Sequence, residues 1–180
     1  VPRVLLALLL FIIVVAIMAV ISMKIYQKYN NINKKRYPSK EQIWRGDEKQ
    51  ALILFQPSYH NTVEEMVDNV GNYLAAKLNY TVIKNHITCT EKYDLDKMDL
   101  LVFATPIYME KCSPNLVEYL QNNLFHKKKV ILLATGIHPE VIKELEELSK
   151  ILHSDNEIHM IKIARDEIDK IEQFIEQKIS

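Results

Sequence analysis

Two cysteines, three glycines and one tryptophan stand among 180 residues, and each scarcity excludes something. Cys89 and Cys112 are too few for a disulfide framework and lack zinc-ligand spacing, which points to a reducing compartment. None of the glycines opens a Gly-Lys-Ser/Thr phosphate loop, and no Gly-x-Ser-x-Gly elbow is present. His86 and Cys89 have a spacing that a metal uses, but no cluster of Asp, Glu, Cys or His completes the set, so no metal site is expected. Internal repeats and low-complexity segments are absent.

Net charge is missing too, with 23 Lys/Arg against 23 Asp/Glu. That balance hides an asymmetry. Residues 1–46 carry eight Lys/Arg and one acid, net +7, while residues 47–180 carry fifteen Lys/Arg and twenty-two Asp/Glu, net −7. An acidic body lacks the positive stripe that nucleic acid requires, so no nucleic-acid partner is expected.

Residues 4–23, VLLALLLFIIVVAIMAVISM, contain no charge. At 1.5 Å per residue a twenty-residue helix reaches roughly the 30 Å of a bilayer's hydrocarbon core, which makes this stretch a membrane-spanning candidate. A cleaved signal peptide is the alternative, but the apolar core is longer than a usual signal region and no Ala-x-Ala site follows. Arg3 alone precedes the span, whereas Lys24, Lys28, Lys34, Lys35, Arg36 and Lys40 follow it. That bias places the remainder of the chain on the cytoplasmic side of a cell membrane. The division expected is a membrane anchor over 1–24, a basic juxtamembrane linker over 25–47 and a folded domain over 48–180. The helix is expected to continue to about Tyr29, and the linker's cations to lie against anionic headgroups or to act only as a stop-transfer flank.

The domain is organised around residues 51–62, ALILFQPSYHNT. Its uninterrupted apolar opening fits a strand buried on both faces of a parallel sheet. A polar loop, 56–61, follows, and from Thr62 apolar residues recur at helical spacing through Val63, Met66, Val67, Val70, Leu74 and Leu78. Strand, loop and helix in that order aim backbone N–H groups and a helix dipole at an anion. The loop offers Ser58, Asn61 and Thr62 but no cation of its own; an ordinary turn capped by Asn61 or Thr62 is the other reading. Further strands are expected at 80–84, 100–105, 130–134 and 157–163, with helices near 115–122, 141–152 and 166–178 and only a short or irregular helix at 86–98. Five strands alternating with helices imply an α/β doubly wound, five-stranded parallel sheet in the order 2-1-3-4-5, the first and last domain helices on one face. Its ligand crevice lies beyond the carboxyl ends of the strands, at loops 56–61, 106–114 and 135–139.

These residues resemble the flavodoxin family. Its first strand leads into a Ser/Thr-rich loop, typically S-x-T-G-x-T, that wraps the phosphate of FMN, and residues 58–62 match it in part. With Ser58 on the family's first Ser, Asn61 stands where Gly is usual; shifted by one, His60 does. The former is sterically easier, because Asn enters the left-handed region. Residues 99–108, DLLVFATPIY, are similar to the family's D-x-x-x-x-G-[ST]-P-x-Y, and the likeness spans residues 49–180. A Gly is common after that Tyr, where Met109, Glu110 and Lys111 stand here. The resemblance implies that Ser58, Tyr59, His60, Asn61 and Thr62 surround the FMN phosphate. Thr105, Pro106, Ile107, Tyr108 and Met109 would flank the ring on one side and Gly136 to His138 on the other, although Tyr108 and Met109 also suit partial core burial. Tyr59 and His60, bulky for a phosphate loop, are expected to project into water. The function implied is that of a membrane-anchored, FMN-binding electron carrier or flavin-dependent reductase with a redox partner protein. The alternative is a flavin-free scaffold module on the same fold, since fold does not imply function.

Overall fold

A computed structural model describes residues 2–46 and 49–179, so the expected boundary at 47/48 lies outside the described residues. Helix α1 (Pro2–Lys34) leads to the short strand β1 (Gln42–Trp44). Then follow β2 (Lys49–Phe55), α2 (Thr62–Leu78), β3 (Tyr80–His86), β4 (Leu100–Pro106), α3 (Pro114–Asn122), β5 (Lys129–Thr135), α4 (Lys143–Ser149), β6 (Glu157–Ile163) and α5 (Lys170–Ile179). The strands form one sheet in the order β1-β3-β2-β4-β5-β6. β2 to β6 are all parallel, as the apolar runs predict.

Both sheet faces are covered, and this is why the central strands read as unbroken apolar runs. Ala51, Ile53, Val102 and Ile131 pack under α2 and α5, against Val63, Met66, Val70, Leu74, Ile171 and Ile175. Leu52, Leu54, Leu101, Phe103 and Leu132 face α3 and α4, against Leu116, Leu120, Leu145 and Leu148. The first and last domain helices therefore share a face, as right-handed crossovers require.

The sheet has six strands rather than five. The sixth is β1, which pairs antiparallel with β3 and sets Ile43 opposite Ile83. Three residues at a sheet edge, inside a stretch read as linker, carry too short an apolar pattern to stand out. Tertiary packing holds β1 instead. The Trp44 indole lies over Gly71 of α2, where an added Cβ would sit 2.8 Å from the ring. Gly71 thus serves close approach rather than helix propensity.

α1 continues five residues past Tyr29, because the domain caps its last turns. Between β3 and β4 only a 3₁₀ turn forms, Leu95–Lys97, with the Asp94 side chain accepting from Asp96 N. α4 is shorter than its apolar spacing predicts and begins after a turn in which Val141 N donates to His138 O. A 3₁₀ turn at Arg165–Glu167 precedes α5, which starts at Lys170 rather than 166.

Candidate functional site

Three loops meet at the carboxyl ends of β2, β4 and β5. In the first, Gln56 is fully buried and Ser58 lies 9% exposed. Ser58 Oγ accepts from Val63 N at 3.1 Å, which tethers the loop to the first turn of α2. Ser58 N and Oγ both donate to Glu64 Oε2, at 3.1 and 3.2 Å. The loop therefore already holds an oxyanion, a carboxylate from its own helix. Asn61 adopts φ 57° in the left-handed region, as its Gly-like placement requires, and its side chain makes no capping bond. Thr62 is buried, and its hydroxyl has no partner among the described residues. Tyr59 and His60 are exposed at the rim.

Tertiary structure supplies the cation that the loop lacks. Lys28 Nζ, thirty-one residues upstream in α1, donates to Tyr59 Oη at 2.6 Å and lies 4.1 Å from that ring's centroid. Tyr59 N donates to Tyr108 Oη at 2.8 Å, joining the first loop to the second. Tyr29 of α1 stacks on Tyr108 with centroids 4.9 Å apart. Burial pushes the Tyr108 hydroxyl above its ordinary range, so it stays protonated.

In the second loop Thr105 Oγ1 accepts from Ser113 N, and Ser113 Oγ accepts from Asn115 N as the cap of α3. Pro106 ends β4, and Ile107 N donates to Thr135 O. Tyr108 and Lys111 exchange backbone bonds around a turn whose central residues, Met109 and Glu110, have φ of 53° and 57°. Neither is glycine. Two L-residues with side chains in this region cost roughly 1–2 kcal/mol each, so the turn is held by its surroundings in the conformation for which the family's Gly is suited.

At the third loop, Gly136 N donates to Ile163 O, and a Cβ on Gly136 would meet Lys162 Cε at 2.5 Å. The Lys162 side chain crosses this glycine and reaches Glu144, with Nζ 3.0 Å from Oε1 and 2.9 Å from Val141 O. Both partners are buried, with side chains 4% and 8% exposed, and Glu144 Oε2 has no hydrogen-bond partner. They border a cavity of about 430 Å³ with Glu110, His138, Val141 and Lys143. This pair escaped the sequence reading. The available signal was a Lys between two isoleucines, Ile161 and Ile163, at the end of β6.

Cys112 lies beside the pair, its Sγ donating to Glu144 O at 3.5 Å. Burial first, then the Glu144 charge, pushes its thiol up to about 12. A thiol that high is poorly suited to be a redox nucleophile. His86 and Cys89 are not brought together around a metal: His86 Nδ1 bonds Pro38 O, and Cys89 Sγ contacts Glu91 O. Among the described residues one potential ligand cluster exists, His126, His153 and Asp155, exposed at the amino end of the sheet and away from these loops.

The segment following α1 closes over the same end. The Gln56 amide donates to Ile32 O and Lys35 O, Asn115 Nδ2 to Lys35 O, and Ser113 Oγ to Asn33 O. Further along, Lys40 N donates to Asn85 Oδ1, and Tyr37 N to Thr88 Oγ1. Side chains of the domain thus cap the last carbonyls of α1, which otherwise lack partners.

No protein-family model matches the chain, and no curated protein matches it. Solved structures do. A flavodoxin of Streptococcus pneumoniae TIGR4 superposes with a TM-score of 0.54 at 20% identity, over 71% of this chain and 95% of that one. An NADH:FMN oxidoreductase in its apo form gives 0.57 at 18% identity, over 72% and 88%. A short-chain flavodoxin associated with a non-canonical PDU bacterial microcompartment gives 0.57 at 18%, over 73% and 97%. The chain has the flavodoxin-like fold, extended by α1 and the antiparallel strand β1.

Proposed function

We propose that this is an FMN-binding, flavodoxin-like protein acting in electron transfer or flavin-dependent reduction, tethered to a membrane by α1. The observation that carries the reading is the loop after β2. Its Ser58 N and Oγ donors hold an oxyanion, the Glu64 carboxylate, at the carboxyl end of a central parallel strand and beside the first turn of α2. An unpartnered Thr62 hydroxyl, a left-handed Asn61 and the nearby Lys28 ammonium suit a phosphate monoester. Ser58, Asn61 and Thr62 would hold that phosphate, with Tyr59 and His60 at its rim. Thr105 to Met109 and Gly136 to His138 would flank the ring. FMN supplies the redox chemistry when bound, while the protein orients it and sets its electrostatics. The net −7 of residues 47–180 disfavours a reduced flavin anion and suits a basic redox partner protein.

Titration with FMN and with riboflavin tests this. Thr62→Ala removes one hydrogen bond to a charged group, which contributes about 1.5–3 kcal/mol, so FMN affinity should fall roughly tenfold or more. Riboflavin binding should change little. Absence of FMN binding by the wild-type chain would overturn the reading.

A flavin-free scaffold module is the second reading. Two observations favour it: Glu64 already uses the Ser58 donors, and residues 32–40 close over the strand ends.

α1 is long and apolar enough to cross a membrane, and from Leu5 to Ile25 its large apolar side chains are exposed. The six cations after the span support a cytoplasmic domain. Protease added outside sealed cells should then leave the domain intact, and its digestion would reverse the orientation.

A further inference from the structure

The order of contacts along α1 reveals which end of the domain faces outward along that helix. Its last turn reaches deepest, with Ile32 O and Asn33 O bonded to buried Gln56 and Ser113. One turn earlier the helix passes the loop tips, where Lys28 meets Tyr59 and Tyr29 stacks on Tyr108. Tyr26 borders a cavity of about 490 Å³ together with Tyr108 and Met109. From Ile25 back to Leu5 the large apolar side chains are exposed. The helix thus leaves the domain from the strand ends outward. Loops 56–61 and 106–114 are the part of the domain nearest the apolar run.

The distances place these loops at headgroup level. Met23, where the charge-free run ends, and Tyr29 are six residues apart, roughly 9 Å along a helix. The polar layer beyond the hydrocarbon core is about 5–8 Å deep on each side, so in an upright helix Tyr29 stands at its outer edge, and the usual helix tilt draws the loops toward it.

The surface chemistry agrees. Outside α1, the exposed large apolar side chains among the described residues are Ile43, Tyr59, Met109, Leu124, Ile137 and Val141. Four of these six sit on the carboxyl-end loops, and Ile137 is 88% exposed. Glu110, Lys111, His138, Glu140 and Lys143 stand among them without a dominant sign. Residues 24–36 then add Lys24, Lys28, Lys34, Lys35 and Arg36 and no acid. Each cation near an anionic surface contributes about 1 kcal/mol.

We infer that the carboxyl-end face of the domain rests on the anionic bilayer surface that holds α1, with Tyr59, Met109, Ile137 and Val141 at headgroup level. This rests on α1 being a membrane span. It does not depend on FMN. Any molecule reaching the space between loops 106–114 and 135–139 then approaches along the membrane.

β5 supplies a matched pair of probes. Ile137 follows its carboxyl end, and Leu124, 76% exposed, precedes its amino end. Ile137→Trp and Leu124→Trp are made in the full chain and reconstituted into phosphatidylcholine nanodiscs, with and without phosphatidylglycerol. A headgroup-nitroxide lipid serves as quencher, and Trp44 gives both variants the same baseline. The Ile137→Trp signal should be quenched severalfold more strongly than the Leu124→Trp signal, and more so with phosphatidylglycerol. Equal quenching in nanodisc-bound protein overturns the orientation while leaving the anchor standing. Recovery of the chain in the lipid-free fraction overturns both. Neither result bears on FMN binding, which the titration reads separately.

Discussion

Glu64→Gln is expected to raise FMN affinity roughly ten- to a hundredfold and to leave riboflavin affinity unchanged. The carboxylate takes both Ser58 donors, N and Oγ, at the N-terminus of α2. A phosphate must displace it and then sit a few ångströms from a like charge. Two unit charges 4 Å apart interact by about 4 kcal/mol at an effective dielectric constant of 20, and partial exposure of Glu64 reduces this to about 1.5–3 kcal/mol. Each 1.4 kcal/mol is about tenfold in affinity. Glutamine keeps an acceptor for Ser58, so the loop retains its shape, and the ligand-free protein should lose only about 0.3–1 kcal/mol of charge–dipole stabilisation. Fluorescence titration of both ligands at low and high salt is the measurement. The gain should shrink as salt screens the repulsion. Unchanged FMN affinity would remove the phosphate from the Ser58 donors and favour the scaffold reading.

Glu144→Gln should destabilise the domain by about 3–5 kcal/mol, because it leaves Lys162 as a buried charge without its counter-ion. Both side chains are nearly inaccessible, 4% and 8% exposed, with Lys162 lying across Gly136. In a domain of this size that loss corresponds to a fall in Tm on the order of 10–20 °C, read by thermal denaturation of the detergent-solubilised chain. Glu144→Leu combined with Lys162→Met separates charge from packing. Removing both charges with side chains of similar volume should restore most of the stability or exceed it. If the double variant is as unstable as Glu144→Gln, packing rather than the unpaired charge is what the site requires.

Legibility followed the range of the interactions. Three of the five parallel strands could be read because each is a short apolar run closed by turn residues, the 157–163 edge strand from its partial alternation, and α2 from its 3.6-residue period over seventeen residues. Asn61 was legible as a left-handed position because few other residues enter that region readily. β1 was not, because its three residues gain their stability from pairing with β3 and from Trp44 on Gly71. Glu64 looked like one acid in the first turn of a helix, and only the backward curl of the loop brings Ser58 to it. Lys162 and Glu144, eighteen residues apart on different elements, meet because the third loop folds Gly136 beneath the lysine.

By itself the sequence determined the parallel α/β core, the end of the sheet at which its three longer loops gather and the presence of one helix long enough for a bilayer. Each follows from composition and periodicity within a segment, which the chain carries wherever it is placed. Only the tertiary structure decided what fills that end of the sheet: the Glu64 carboxylate on Ser58, Lys28 and Tyr29 over the loop tips, and the capped end of α1 against Gln56 and Ser113. Those contacts join residues six to eighty positions apart through single hydrogen bonds and ring contacts. They leave no periodic trace in the sequence, because each depends on where folding brings two distant groups.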